Sequence, residues 1–300
     1  MKHTFVLVFL CLVVQLSAQN KVTHTYTIKE KDTLKLDVYY PDSLQKDEKL
    51  PVLLWMHGGG FSISSRDYVE DAKLCSDVTK YGYIGVSISY RLLRKDTPTQ
   101  FGCLCSKEEK METFKQAAID YLDAAVFIVE NADVLQIDPS KIIAGGSSAG
   151  AESILNAVFM REFFVDDLEN YQKVAFAGVF SCGGAVVNAN YITKSNAVPA
   201  VLFHGTDDQL VPFSSAPHHF CEPSKPGYLM LDGSATIVDK FSELETPYYF
   251  HIVKGGGHEV SAIPFKELDA IFEFFDKTVL NSEIIQTKVI KTKVIKTKGL

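Results

Sequence analysis

Lys141-Ile142-Ile143-Ala144-Gly145-Gly146-Ser147-Ser148-Ala149-Gly150 is an apolar run that breaks into glycines around a serine pair and then resumes as helix-forming sequence. The run 141–144 reads as a buried strand and the stretch from Ala149 as a helix, which makes the glycine-serine segment the turn between them. Gly146, Ser148 and Gly150 stand in the Gly-x-Ser-x-Gly order. A side chain presented on so sharp a turn needs a strained backbone at its own position and small neighbours two residues away on each side. The new helix also aims its first amides at any negative charge that develops there.

Working outward, strand-like and helix-like runs alternate through most of the chain, the pattern of a mostly parallel α/β sheet. Eight strands are predicted, at 26–29, 34–40, 51–56, 83–89, 141–144, 174–180, 199–203 and 248–253. The first two are separated only by Glu30-Lys31-Asp32-Thr33 and should form an antiparallel hairpin at one edge. Apolar residues at helical spacing mark helices over 117–129 and 265–275, and further helices are expected over 67–81, closed by Gly82, and from Ala149. Two polar connections, 91–111 and 213–233, are long enough to be functional loops or a small lid. No linker divides the body, so one domain is expected over 19–283.

A second signal lies about ninety residues upstream of Ser148, where the strand ending at Met56 runs into His57-Gly58-Gly59-Gly60-Phe61. Three successive glycines let the backbone approach a substrate oxygen with its N–H groups free. A serine hydroxyl is a poor nucleophile until a base takes its proton, so a histidine and an orienting carboxylate should follow. Asp207 and Asp208 come just after the strand 199–203, and His258 just after the strand 248–253, where open α/β sheets build their sites. His258 is the best base, because His57 belongs to the glycine turn, His204 ends a strand and His251 lies inside one. His218 and His219, with Cys221 nearby, supply no further metal ligand at a telling spacing. Chain order leaves Asp207 and Asp208 both open as the carboxylate.

Composition narrows the class. Six of the 30 lysines and arginines (Lys2, Lys288, Lys291, Lys293, Lys296 and Lys298) fall outside residues 19–287, leaving that body 24 basic against 37 acidic side chains. A surface so acidic repels phosphate backbones, and no nucleic-acid partner is expected. Lys2, ten apolar residues over 5–14 and a small-residue end at Ser17-Ala18 read as an export signal over 1–18, too short for a membrane anchor. A periplasmic or extracellular location permits disulfides. Five cysteines remain after such a leader (Cys75, Cys103, Cys105, Cys182 and Cys221), so at least one thiol stays unpaired. Cys103 and Cys105 read as loop cysteines of which one or both pair elsewhere, and Cys182 as a small buried hydrophobe. Residues 284–300 repeat Thr-Lys-Val-Ile-Lys and read as a frayed, solvated basic tail.

Taken together, His57 to Phe61, Gly146 to Gly150, His204 to Asp208 and His258 resemble the α/β-hydrolase superfamily, in particular secreted esterases and carboxylesterases with an HGGGF turn. The resemblance covers roughly residues 21–280 and implies an eight-stranded, mostly parallel sheet flanked by helices. It implies Ser148 as nucleophile, His258 as base, Asp208 rather than Asp207 as acid, and the amides of Gly59, Gly60 and Ala149 as the oxyanion hole. This chemistry requires no metal or organic cofactor. Gly146-Ser147-Ser148 stands where many lipase-like relatives have Gly-Asp-Ser, and bacterial feruloyl and acetyl-sugar esterases look closer. The implied substrate is a small-molecule or carbohydrate ester. Phe61, Phe101, Phe213 and Tyr228 are the expected substrate walls, with packing on the core as the equal alternative. A peptidase of the same fold, or a non-catalytic binding protein built on it, are the rival readings.

Overall fold

The computed structural model describes residues 21–293, so the expected leader over 1–18 lies outside the described residues. Its strands are β1 (Lys21–Lys29), β2 (Asp32–Tyr39), β3 (Leu50–Met56), β4 (Ile84–Ile88), β5 (Ile137–Ser147), β6 (Phe176–Cys182), β7 (Ala185–Val186), β8 (Ala200–Gly205), β9 (Ser215–Pro217), β10 (Met230–Gly233), β11 (Tyr248–Lys254) and β12 (Gln286–Thr292). The helices are α1 (Val69–Asp77), α2 (Lys107–Glu130), α3 (Ala149–Phe159), α4 (Arg161–Phe164), α5 (Ser234–Glu243) and α6 (Leu268–Phe275). Among the described residues the main sheet has nine strands in the order β1-β2-β4-β3-β5-β6-β8-β11-β12. Only β2 runs against the others, paired antiparallel to both β1 and β4.

Strand side chains alternate between the two faces, and the sequence supplies apolar residues to both. Val52, Leu54 and Met56 of β3 point into the core shared with α2, α3 and α5, whereas Leu53 and Trp55 point into the core shared with α1 and α6. The sheet is therefore covered on both sides, and polar chemistry is left to the carboxyl ends of its strands.

Three expectations are corrected. The sheet has nine strands rather than eight, because 286–292 of the basic repeat is not frayed but pairs parallel with β11, from Tyr248↔Gln286 to Lys254↔Thr292. Thr287, Val289, Ile290 and Thr292 carry high strand propensity, and β11 without them would present an open backbone edge. Lysines along β12 then protect the new edge from further pairing, with Lys291 reaching Glu267 at 2.5 Å. The connection expected over 91–111 ends at Ser106, since α2 starts at Lys107. Ser106 Oγ accepts from Glu109 N at 3.2 Å, while Glu109 Oε2 accepts from Ser106 N at 3.0 Å, a reciprocal cap legible as Ser-x-x-Glu. The segment 213–233 is not a plain loop: β9 and β10 lie in it and join β7 in a three-stranded sheet.

Candidate active site

At the end of β5 the chain turns sharply into α3, and Ser148 at the corner adopts φ 50°, ψ −121°. A non-glycine residue rarely takes this backbone, and it persists only where neighbours over-determine it. Ser148 N donates to Cys182 O at 2.8 Å, pinning the corner to β6. A Cβ on Gly146 would sit 2.5 Å from the Gly150 carbonyl carbon, and one on Gly150 would sit 2.1 Å from Met56 O. Both positions are glycine because backbone passes where a side chain would be.

The glycine turn after β3 abuts this corner. A Cβ on Gly58 would lie 3.2 Å from Ser148 Cβ, and Gly59, at φ 109°, folds the chain back so that Ile63 N donates to its carbonyl at 3.2 Å. His57 is an anchor beneath the turn: its Nδ1 donates to Gly58 O at 2.7 Å, and its ring packs against Tyr90 with centroids 4.6 Å apart. Burial pushes its pKa down to about 4, so the ring is neutral at ordinary pH. Gly59, Gly60 and Ala149 line the same cleft as Ser148.

Two further strand ends complete the arrangement. Ser148 Oγ lies 2.8 Å from His258 Nε2, and His258 Nδ1 donates to Asp208 Oδ2 at 2.8 Å. Asp208 is buried, and its Oδ1 accepts from Leu210 N at 2.9 Å and Val211 N at 3.1 Å. Burial works against its charge, but the approach of His204 and His258 outweighs it and holds the carboxyl well below the usual carboxylate range. His204 is itself fixed, with Nδ1 accepting from Ser234 Oγ at 2.7 Å and Nε2 donating to Val211 O at 3.1 Å. Asp207 is exposed and accepts from Thr206 Oγ1 at 2.7 Å, whereas the bond to the imidazole goes to Asp208. Its amide donates to Gly256 O at 2.8 Å, tying the two strand-end loops together.

The cleft above these residues holds about 380 Å³. Of the expected walls only Phe101 lines it. Phe61 is fully buried behind Phe101, ring centroids 4.6 Å apart, because at φ 59° it turns inward from the glycine turn. Phe213 stacks on Phe250 at 5.8 Å and meets His204 edge-on, packing against β11 where the chain returns to the sheet. Tyr228 opens into a separate hollow of about 400 Å³ beside Met111, Met160 and Tyr191. None of the three walls the cleft at Ser148: Phe61 and Phe213 pack against aromatic neighbours and Tyr228 lines the other hollow, placements that local sequence does not reveal.

The segments around 91–106 and 213–233 are joined by the Cys103–Cys221 disulfide, with Cα atoms 5.4 Å apart, and by Gly227 N donating to Cys103 O at 3.1 Å. Cys105, Cys75 and Cys182 are buried thiols, and burial raises the pKa of each. With its sulfur in the disulfide, Cys221 is not a thiolate ligand beside His218 and His219. Among the described residues no group of three or more His, Cys, Asp or Glu side chains could hold a metal ion, and no helix is long and apolar enough to cross a membrane. His218, His219 and Glu152 line the cleft beside Ser148. Sequence reasoning passed over Glu152, although an acidic residue four positions after Ser148 in an otherwise uncharged helix falls on the same face as Ser148.

Residues 11–193 match the Carboxylesterase family. The chain belongs to that family. Among curated relatives, lipase 5 of Diutina rugosa is 31% identical over 140 residues (46% of this chain, 24% of that protein), and gut esterase 1 of Caenorhabditis briggsae is 31% identical over 180 residues (57% and 28%). A secreted triacylglycerol lipase of Gibberella zeae is 26% identical over 171 residues (56% and 28%). The matched stretch thus spans only 24% to 28% of these relatives. Among solved structures, Thermogutta terrifontis esterase 2 phosphorylated by paraoxon aligns with a TM-score of 0.64 over 90% of this chain and 96% of that one, at 15% identity. At that identity the likeness concerns the α/β-hydrolase fold, which the nine-stranded sheet and its flanking helices share.

Proposed function

We propose that this carboxylesterase-family chain is an exported serine ester hydrolase. Ser148 attacks the acyl carbonyl, His258 Nε2 accepts its proton and passes it to the departing alcohol, and Asp208 steadies the imidazolium. The amides of Gly59, Gly60 and Ala149 receive the oxyanion, at the start of a helix whose dipole favours negative charge. Water, activated by the same histidine, then releases the acid. The observation that carries this reading is the unbroken relay from Ser148 Oγ to His258 to Asp208, at 2.8 Å per step, on a positive-φ corner that faces an open cleft.

The substrates are small-molecule esters, with acetyl or feruloyl esters of carbohydrates as the proposed class. Export rests on the apolar leader at 5–14, and relatives named as secreted lipases agree with it. The test is hydrolysis of short p-nitrophenyl esters and methyl ferulate by the protein and by Ser148→Ala. Turnover should fall on the order of a million-fold in the variant. Undiminished turnover overturns the assignment.

A further inference from the structure

We infer that Glu152 and His218 form a polar subsite that holds a hydroxyl group of the substrate beside the scissile ester. The inference rests on the ester-hydrolase reading and narrows it to esters of hydroxyl-bearing alcohols. Glu152 lies one helical turn beyond Ser148, its amide donating to Ser148 O at 2.9 Å, and its side chain faces the cleft. It is 2% exposed and His218 is fully buried, yet both line the space next to the nucleophile. Among the described residues, Glu152 Oε1 and both ring nitrogens of His218 have no hydrogen-bond partner. The two side chains approach to 3.4 Å between Oε1 and Nε2 without bonding geometry.

Three idle polar atoms at one point of a binding cleft are costly unless a ligand uses them. Their positions are set beforehand. His218 N donates to Leu229 O at 2.8 Å, and its ring is held edge-on by Phe101 at 5.2 Å and Phe114 at 6.1 Å. Such a site suits an oxygen that both donates and accepts, which describes an alcohol.

Charge selects the same occupant. Lys110, buried beside Cys221 with Nζ donating to Gly227 O at 2.8 Å, acts on Glu152 and disfavours an ammonium group. Asp208 also acts on Glu152, so a carboxylate ligand would add a second negative charge near that of Asp208. The remaining groups facing His218 are His219 and His258. Burial raises the pKa of Glu152 and lowers that of His218, which favours the uncharged form of each, and a carboxylic acid beside a neutral imidazole offers donor and acceptor together. A plain alkyl group placed here would leave all three polar atoms unpaired, and polar sites reject such analogues strongly.

The experiment compares trans-1,2-cyclohexanediol monoacetate with cyclohexyl acetate, which differ by one vicinal hydroxyl. The protein should favour the diol ester in kcat/KM by on the order of a hundredfold. In Glu152→Leu and His218→Phe that ratio should fall toward one, and Glu152→Gln should retain part of it. A ratio near one for the unaltered protein, or a ratio unchanged in both variants, overturns the subsite. Failure of the unaltered protein to hydrolyse p-nitrophenyl acetate overturns the ester-hydrolase reading instead. The subsite is then still decided in Ser148→Ala by nitrogen chemical shifts of the His218 ring. A saturable shift with trans-1,2-cyclohexanediol and none with cyclohexanol supports it, and no shift with either rejects it.

Discussion

The corner at Ser148 and the cross-linked wall opposite it are built by different means. At the corner the sequence signal is local, with glycines at 146 and 150, a strand before, a helix after and a backbone at φ 50°, although β6 and β3 press on it through Cys182 O and Met56 O. The wall, by contrast, is assembled from segments more than a hundred residues apart, joined by Cys103–Cys221 and a few backbone hydrogen bonds. In the proposed mechanism the corner and the strand-end loops at Asp208 and His258 hold the reacting atoms, and the wall selects what reaches them. Positions of chemistry are thus written in short motifs, and positions of selection in long-range packing.

The largest effect that can break this contrast is at Asp208. Asp208→Asn keeps the shape but cannot hold the imidazole in the same tautomer, and kcat should drop by roughly four orders of magnitude. Asp207→Asn, on an exposed carboxyl one residue away, should change stability by less than about 0.5 kcal/mol and leave kcat within about twofold. Steady-state kinetics on p-nitrophenyl acetate distinguish the two. Equal losses would mean that the loop, and not the particular carboxylate, is what matters.

This pair also measures how much of the site was legible. Chain order placed a carboxylate beyond β8 and a histidine beyond β11, because α/β sheets bring strand ends together whatever their sequence separation. It could not separate Asp207 from Asp208, since that choice depends on which one is buried under Val211 and His258. The glycine turn and the corner were legible for the same local reason. Phe61, Phe213 and Tyr228 were left between substrate wall and core packing because an aromatic in a loop has no periodicity to say which way it faces. The ninth strand was missed because lysines hid a Thr-Val-Ile pattern that only the open edge of β11 gives a partner. Cys103 could not be matched to Cys221 from spacing among five cysteines.

A second test concerns the wall. Cys103→Ser releases residues 118 positions apart in sequence, and stability should fall by about 2–4 kcal/mol in urea unfolding. If selection resides in the wall, the same variant should lose discrimination among acyl groups while the Ser148 to His258 relay still turns over small activated esters. A fall in kcat on p-nitrophenyl acetate as steep as the fall in discrimination would show that wall and corner are not separable.

The smallest effect lies behind the glycine turn. Asp71 on α1 is 5% exposed and accepts from Trp55 Nε1 at 2.6 Å, and burial pushes its pKa up to about 6 against the bond from Trp55. The folded protein therefore keeps a proton that the unfolded chain releases near pH 4, so stability should decline as pH rises from about 4 to about 6 and then level off. Asp71→Asn can still accept from Trp55 but does not titrate. Relative to the unaltered protein it should gain on the order of 1–3 kcal/mol between pH 4 and pH 7, read from urea unfolding at several pH values. Parallel stability curves for the two proteins would mean that Asp71 is charged in the fold, and that the strand carrying the glycine turn rests on a buried anion rather than a neutral acid.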